Sequence, residues 1–196
     1  MAITKSIIVV EDRLQEIFSY LPPFIDVNGN NYNALFKYGD DKELYSFFKS
    51  NKSIDSPYPL IWLVYPYTEQ HKINRVVLDK ISIVLAIDTN VEMLNDERLS
   101  LTYKQILFPL FNNIKDLFKM ANIITVNKNY DIVKFPNYGE NDKSINVDIW
   151  DAMKITFSCY ITDKKLAPIS LPGHTIVLPA GMPSLVEVAP SEILTL

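Results

Sequence analysis

Cysteine is almost missing from these 196 residues, Cys159 being the only one. A disulfide framework and a cysteine zinc site are thereby excluded, and Cys159 reads as a buried core thiol rather than a reactive one. Glycine is scarce as well, five in all, and none falls in the GxGxxG or P-loop spacing. Phosphate held on a glycine-rich loop at a helix start is therefore excluded. The two histidines, His71 and His174, are far apart in sequence and form no i,i+4 ligand pair. No metal or other cofactor is expected. Lysine and arginine never gather into a run that could neutralise several phosphates, and the net charge is -4 with a pI near 5.2, so tight nucleic-acid binding is disfavoured. The apolar run near the N-terminus, Ile7 to Val10, is too short for a signal peptide or a membrane span.

What is present is the composition of a folded chain, with 48% apolar and 21% charged residues. The length suits one core plus an extension. Residues 1–162 read as a single globular domain and residues 163–196 as an extended, proline-punctuated C-terminal arm.

Periodicity places the elements. Leu14, Ile17, Phe18 and Leu21 share one helical face, ended by Pro22 and Pro23. Asn28-Gly29-Asn30 marks a turn, and Tyr32, Ala34, Phe36 and Tyr38 alternate as in a strand. Asp40 and Glu43 have the spacing of a capping box for a helix burying Leu44, Phe47 and Phe48. Tyr58 to Tyr67 reads as a central strand covered on both faces, followed by a polar excursion, TEQHKIN, with His71 in a solvated loop. Arg75 to Asp88 is the next strand, with an exposed or bent portion at Asp79 and Lys80.

A long helix follows, capped by Asn95 or Asp96. Leu99, Tyr103, Ile106, Leu107, Leu110, Phe111, Ile114, Leu117 and Phe118 form its apolar stripe, and Pro109 predicts a kink near Gln105 to Pro109. Ile123 to Phe135 reads as one strand and Pro136 to Ser144 as a turn. In the last strand Val147, Ile149, Met153, Ile155, Phe157, Cys159 and Ile161 share a face on which Asp151 is the single intruder. This order predicts an α+β fold, a mixed and mostly antiparallel sheet covered by helices.

Residues able to do chemistry are few. Asp40-Asp41 and Asp96-Glu97 stand at helix starts, where the dipole accounts for them. Asp148 and Asp151 flank Trp150, the arrangement that a carboxylate-based hydrolase or a sugar site would use. Ser170 lies near His174, but in a tail that would not hold a nucleophile and a base in register. No catalytic constellation emerges, and the chain is not expected to be an enzyme. Trp62, Tyr65 and Tyr67 on the aromatic strand are candidate interaction residues, since tyrosine and tryptophan concentrate at interfaces.

The strand PLIWLVYP, a polar excursion, the strand VLDKISIVLAIDTN and the helix ERLSLTYKQILFPLFNNI occur in an order that resembles tail-terminator and tail-completion proteins of tailed bacteriophages. The likeness spans Tyr58 to Ile161 and lies in the order of elements. It implies an α+β ring subunit at the phage neck, a hexamer or dodecamer through whose lumen DNA passes without specific binding. Neighbouring neck and tail proteins would be its partners, the virion its location and the host cytoplasm its place of assembly. No catalytic residue is carried over. The lysine- and asparagine-rich wording and the apolar C-terminal extension are also similar to neck ring proteins of crAss-like phages. The chain is longer than a typical terminator, and its tail has no counterpart in the usual pattern. An alternative is a minor tail or baseplate module that recognises a partner through the aromatic strand.

The arm carries prolines at 168, 172, 179, 183 and 190, which forbid a helix and leave short extended pieces at His174 to Leu178 and Ser184 to Ala189. Ile176, Val177, Leu178, Leu185, Val186 and Val188 are its candidate interaction residues. Such apolar pieces are expected to pack on a neighbouring subunit or another virion protein by adding a strand to a sheet edge.

Overall fold

A computed structural model describes residues 7–26, 28–50, 59–89, 92–138, 150–171 and 175–179. The fold is α+β, as expected: a seven-stranded mixed sheet with three helices, plus a small three-stranded sheet. Helix α1 is Val10–Phe18, whose Val10, Leu14, Ile17 and Phe18 are buried. Strands β1 (Phe24–Ile25) and β2 (Asn31–Tyr32) form a hairpin around the Gly29 turn. Gly29 has φ 86°, a conformation open to glycine, and the Asp26 carboxylate accepts bonds from the Asn28 and Asn30 amides.

The strand expected across Tyr32 to Tyr38 divides in two. β2 belongs to the small sheet, whereas β3 (Leu35–Gly39) is the edge of the large one, parallel to β4 (Leu60–Val64). Helix α2 (Asp41–Ser50) starts with the predicted capping box, the Glu43 amide donating to Asp40 Oδ1 at 2.8 Å and the Asp40 amide to Glu43 Oε2 at 3.0 Å. Four of the five residues of β4 are buried, so both its faces are covered. The polar stretch after β4 is a strand rather than an excursion. β5 (Thr68–Lys72) forms a hairpin with β6 (Arg75–Asp88), and the ladder hydrogen bonds outweigh its low apolar content. His71 thus lies on an exposed strand, its ring 2.6 Å from Glu69.

β6 carries a bulge between Leu78 and Ile81, where Lys80 has φ 53°. This is the bend that Asp79 and Lys80 announced. The long helix covers residues 95–120 as one continuous run: α-helical at Asn95–Glu97, wide π turns at Arg98–Leu107, then α-helical again at Phe108–Met120. Its N-cap is Leu94 rather than Asn95 or Asp96, because Glu97 reaches back to accept the Leu94 amide at 2.9 Å. The expected irregularity at Pro109 takes the form of a register change: Phe108 still donates to Tyr103 five residues back, and Pro109, which has no N–H to place, follows at once. Most of the predicted stripe is buried, but Leu99 is exposed.

Ile123 to Phe135 is two strands, not one, with β8 running on through Pro136. β7 (Ile124–Val126) and β8 (Asp131–Tyr138) pair end to end with the same side of β9 (Trp150–Thr162). β9 pairs with β6 along almost its full length on the other side. The alternation predicted for β9 holds for Met153, Ile155, Phe157, Cys159 and Ile161, all buried, while Val147 and Ile149 lie outside the described residues. That face meets α1 and the long helix, with Phe118 on Phe157 at 5.5 Å between ring centroids and Phe18 on Phe36 at 5.1 Å. The opposite face carries α2 at one end, through Phe47 on Trp62, and is buried at Leu60, Val84, Ala86, Trp150 and Ala152; toward the β5–β6 hairpin it is part-exposed at Ser82, Thr156, Ser158, Tyr160 and Thr162.

Candidate functional site: an aromatic edge and a docked C-terminal segment

The aromatic strand turns at its end so that two phenols meet one carboxylate. Tyr65 and Tyr67 both donate to Glu11 Oε1 from α1. Burial alone would raise the Glu11 carboxyl, but the two hydroxyl bonds outweigh it and hold its pKa below the usual value. Both phenols are pushed far above theirs, first by burial and then by the carboxylate they face. Tyr38 on edge strand β3 packs against Tyr65 at 5.8 Å and is 49% exposed, so the aromatic cluster reaches solvent.

Trp62 is placed differently from its neighbours. It is buried, its Nε1 donating to the Gly39 carbonyl at 3.1 Å, and it anchors α2 instead of reaching the surface. The same carbonyl accepts the Tyr65 amide at 2.8 Å. Gly39 has φ 152°, and a Cβ there would lie 2.9 Å from Trp62 Cζ2. Sequence reading therefore joined three residues that the fold separates into one anchor and two edge residues. It missed Glu11 and Tyr38, whose meeting with Tyr65 depends on β3 and α1 docking on β4.

The described part of the arm packs on the body of its own chain. Asn122, just past the long helix, clasps its start by donating to the Lys165 carbonyl at 3.1 Å and accepting the Ala167 amide at 2.9 Å. Leu166 is buried, and Ile169 and Leu171 pack on the core. β10 (Ile176–Val177) then adds a parallel strand to β1, and the Leu178 amide donates to the Ile25 carbonyl at 2.7 Å. Ile176 and Leu178 point inward while Val177 is 60% exposed. A groove of about 790 Å³ separates this strand from the long helix, with Gln105, Pro109 and Asn113 on the helix side. Leu185, Val186 and Val188 lie outside the described residues, as do His174 and Asp148.

Asp151, the intruder on the apolar face, is wholly buried and bonded to Arg98 Nη1 at 2.8 Å. Arg98 also donates to Thr89 Oγ1 and to the Met93 carbonyl. The pair ties β9 to the start of the long helix. The signal was available in the sequence, since a carboxylate on a buried face calls for a cation. Nearby, burial and the Asp151 charge push the Tyr103 phenol up. Cys159 is buried, and burial raises its thiol to about 12.

Among the described residues no group of three or more His, Cys, Asp or Glu side chains could hold a metal ion, and no helix is long and apolar enough to cross a membrane. The class that fold and site define is an α+β domain with an aromatic sheet edge and a docked extended segment. No protein-family model matches the chain, and no curated protein sequence matches it.

Proposed function

We propose that this chain is a virion structural protein, one subunit of a ring at the head-tail junction of a tailed phage, through which DNA passes. The observation that carries the reading is the pair of unlike sheet edges: among the described residues the sheet ends on β3 and β5 at one side and on β7 and β8 at the other. Two different edges on one subunit are what a head-to-tail interface joins, and such an interface closes into a ring when its rotation allows. The order of elements from β4 through the long helix to β9 adds the resemblance to tail terminators. The chain past Pro179, together with exposed Val177 on β10, supplies further contacts to a neighbouring subunit or an adjoining neck protein.

The test is the mass and symmetry of the purified full-length chain, by mass photometry and cryo-electron microscopy. Ring particles several times the monomer mass are expected. A chain that stays monomeric at high concentration, with and without neck and tail-tube proteins, overturns the reading. Truncation is best placed after Pro179, since Leu166, Ile176 and Leu178 are part of the buried core. The shortened chain is expected to fold and to assemble poorly.

A further inference from the structure

Lysines and an arginine that never form a run in the sequence share one sheet face in the folded chain, spread along it rather than clustered. Registers of β5, β6, β8 and β9 place Lys72, Arg75 and Lys154 on the sheet face opposite α1 and the long helix. The Arg75 guanidinium confirms its side by lying 5.3 Å over the Tyr160 ring. Between these cations the same face carries hydroxyls at Ser82, Thr156, Ser158, Tyr160 and Thr162, none of them fully buried. Ser82 and Thr156 bond to each other across the strands at 2.8 Å, and Ser158 donates to Asp79 at 2.8 Å. At the hairpin end the face opens into a groove of about 450 Å³ whose lining includes Lys72, Arg75, Tyr160, Thr162 and Lys164, with Asp163 its single acid. Exposed Lys80 stands at the β6 bulge beside it.

We propose that the part-exposed half of this face, from Lys154 to the β5–β6 hairpin, is the surface that meets the duplex, binding the phosphate backbone of double-stranded DNA weakly and without regard to sequence. This deepens the ring reading and rests on it for the choice of partner. Charge complementarity favours a polyanion: six cations, Lys37, Lys72, Arg75, Lys80, Lys154 and Lys164, stand against four acids, Asp79, Asp88, Asp131 and Asp163, on a chain whose net charge is -4. The hydroxyls add uncharged donors of the kind that contact phosphate and sugar. A flat strand surface presents them along the backbone and inserts nothing into a groove, so bases go unread. The excess of cations is small, so a duplex can slide along the face.

The experiment measures binding of the full chain to a short fluorescein-labelled duplex by anisotropy across a salt series. Each phosphate neutralised contributes about 0.9 to the slope of log K against log salt, so engagement of Lys72, Arg75 and Lys154 gives a slope of about -3. The variant Lys72→Gln/Arg75→Gln/Lys154→Gln is expected to lose about ten-fold or more in affinity at low salt and to flatten the slope. Lys115→Gln/Lys119→Gln, on the long helix, is expected to bind as the unaltered chain does. No binding at low salt, equal binding by the triple variant, or preference for single-stranded RNA over the duplex overturns the assignment. Mass photometry on the same samples separates the two readings. Rings whose DNA binding ignores the triple variant sink the surface and spare the ring; monomers whose binding it abolishes do the reverse.

Discussion

Arg98 and Asp151 form an ion pair of 2.8 Å with both side chains almost entirely out of solvent, joining the long helix to the central strand β9. Removing one partner leaves a buried charge without its counter-ion, which costs about 3–5 kcal/mol. Arg98→Met is expected to lower stability by that amount in urea denaturation. Replacing both, Arg98→Met with Asp151→Leu, is expected to recover most of the loss, because desolvation offsets much of what the pair contributes.

Gly39→Ala is expected to destabilise the chain by about 1–3 kcal/mol, since the backbone there is in a region L side chains rarely adopt. The added methyl also meets the Trp62 ring, so the near-ultraviolet circular dichroism of tryptophan should change with it. An unchanged denaturation midpoint would contradict this account of the turn.

The Glu11 carboxyl, held below its usual pKa by Tyr65 and Tyr67, stabilises the fold above the unfolded-chain value. That contribution is lost as pH falls through the lowered folded value. The site is only half-buried, so screening reduces the effect to under about 1 kcal/mol. Melting temperature followed into acid should fall less steeply for Tyr65→Phe/Tyr67→Phe than for the unaltered chain.

Cys159 behaves in the opposite sense. Burial raises its thiol to about 12, well above the usual range for a free thiol, so the neutral form is favoured in the folded state. The stability this contributes is complete below the unfolded value and falls as pH rises above it. Folded protein at pH 8 is expected to resist a thiol-specific reagent, with labelling appearing only on denaturation.

The seat of β10 can be tested by Leu178→Ala, which removes a side chain that is 2% exposed. A loss of about 2–3 kcal/mol is expected, toward the low end for core leucines because the seat is at the rim of the body. Limited proteolysis is then expected to cut between residues 163 and 171 faster than in the unaltered chain.

Much of the fold was legible because its signals are local. Alternation marks β6 and β9, a 3.6-residue period marks α1 and the long helix, and Asp40 with Glu43 announces α2. Errors arose where pairing partners outweighed local pattern. Thr68 to Lys72 has too little apolar content to read as a strand until β6 supplies its ladder. Tyr32 and Phe36 look like one strand until their backbones are seen to join different sheets. Ile123 to Phe135 divides because β9 offers it two separate pairing sites.

The candidate site was less legible for the same reason. Trp62, Tyr65 and Tyr67 were visible as an aromatic group, but alternation along a twisting strand sends Trp62 inward and the turn sends both tyrosines to Glu11. By itself the sequence determined the longer elements, the core stripes, the single buried thiol and the extended character of the described arm, all consequences of side-chain type and spacing. The tertiary structure alone decided that Asp151 would find Arg98, that the described arm would dock on β1, and that scattered lysines would share one sheet face. Each depends on residues distant in the chain being brought within a few ångströms, and no local pattern encodes that.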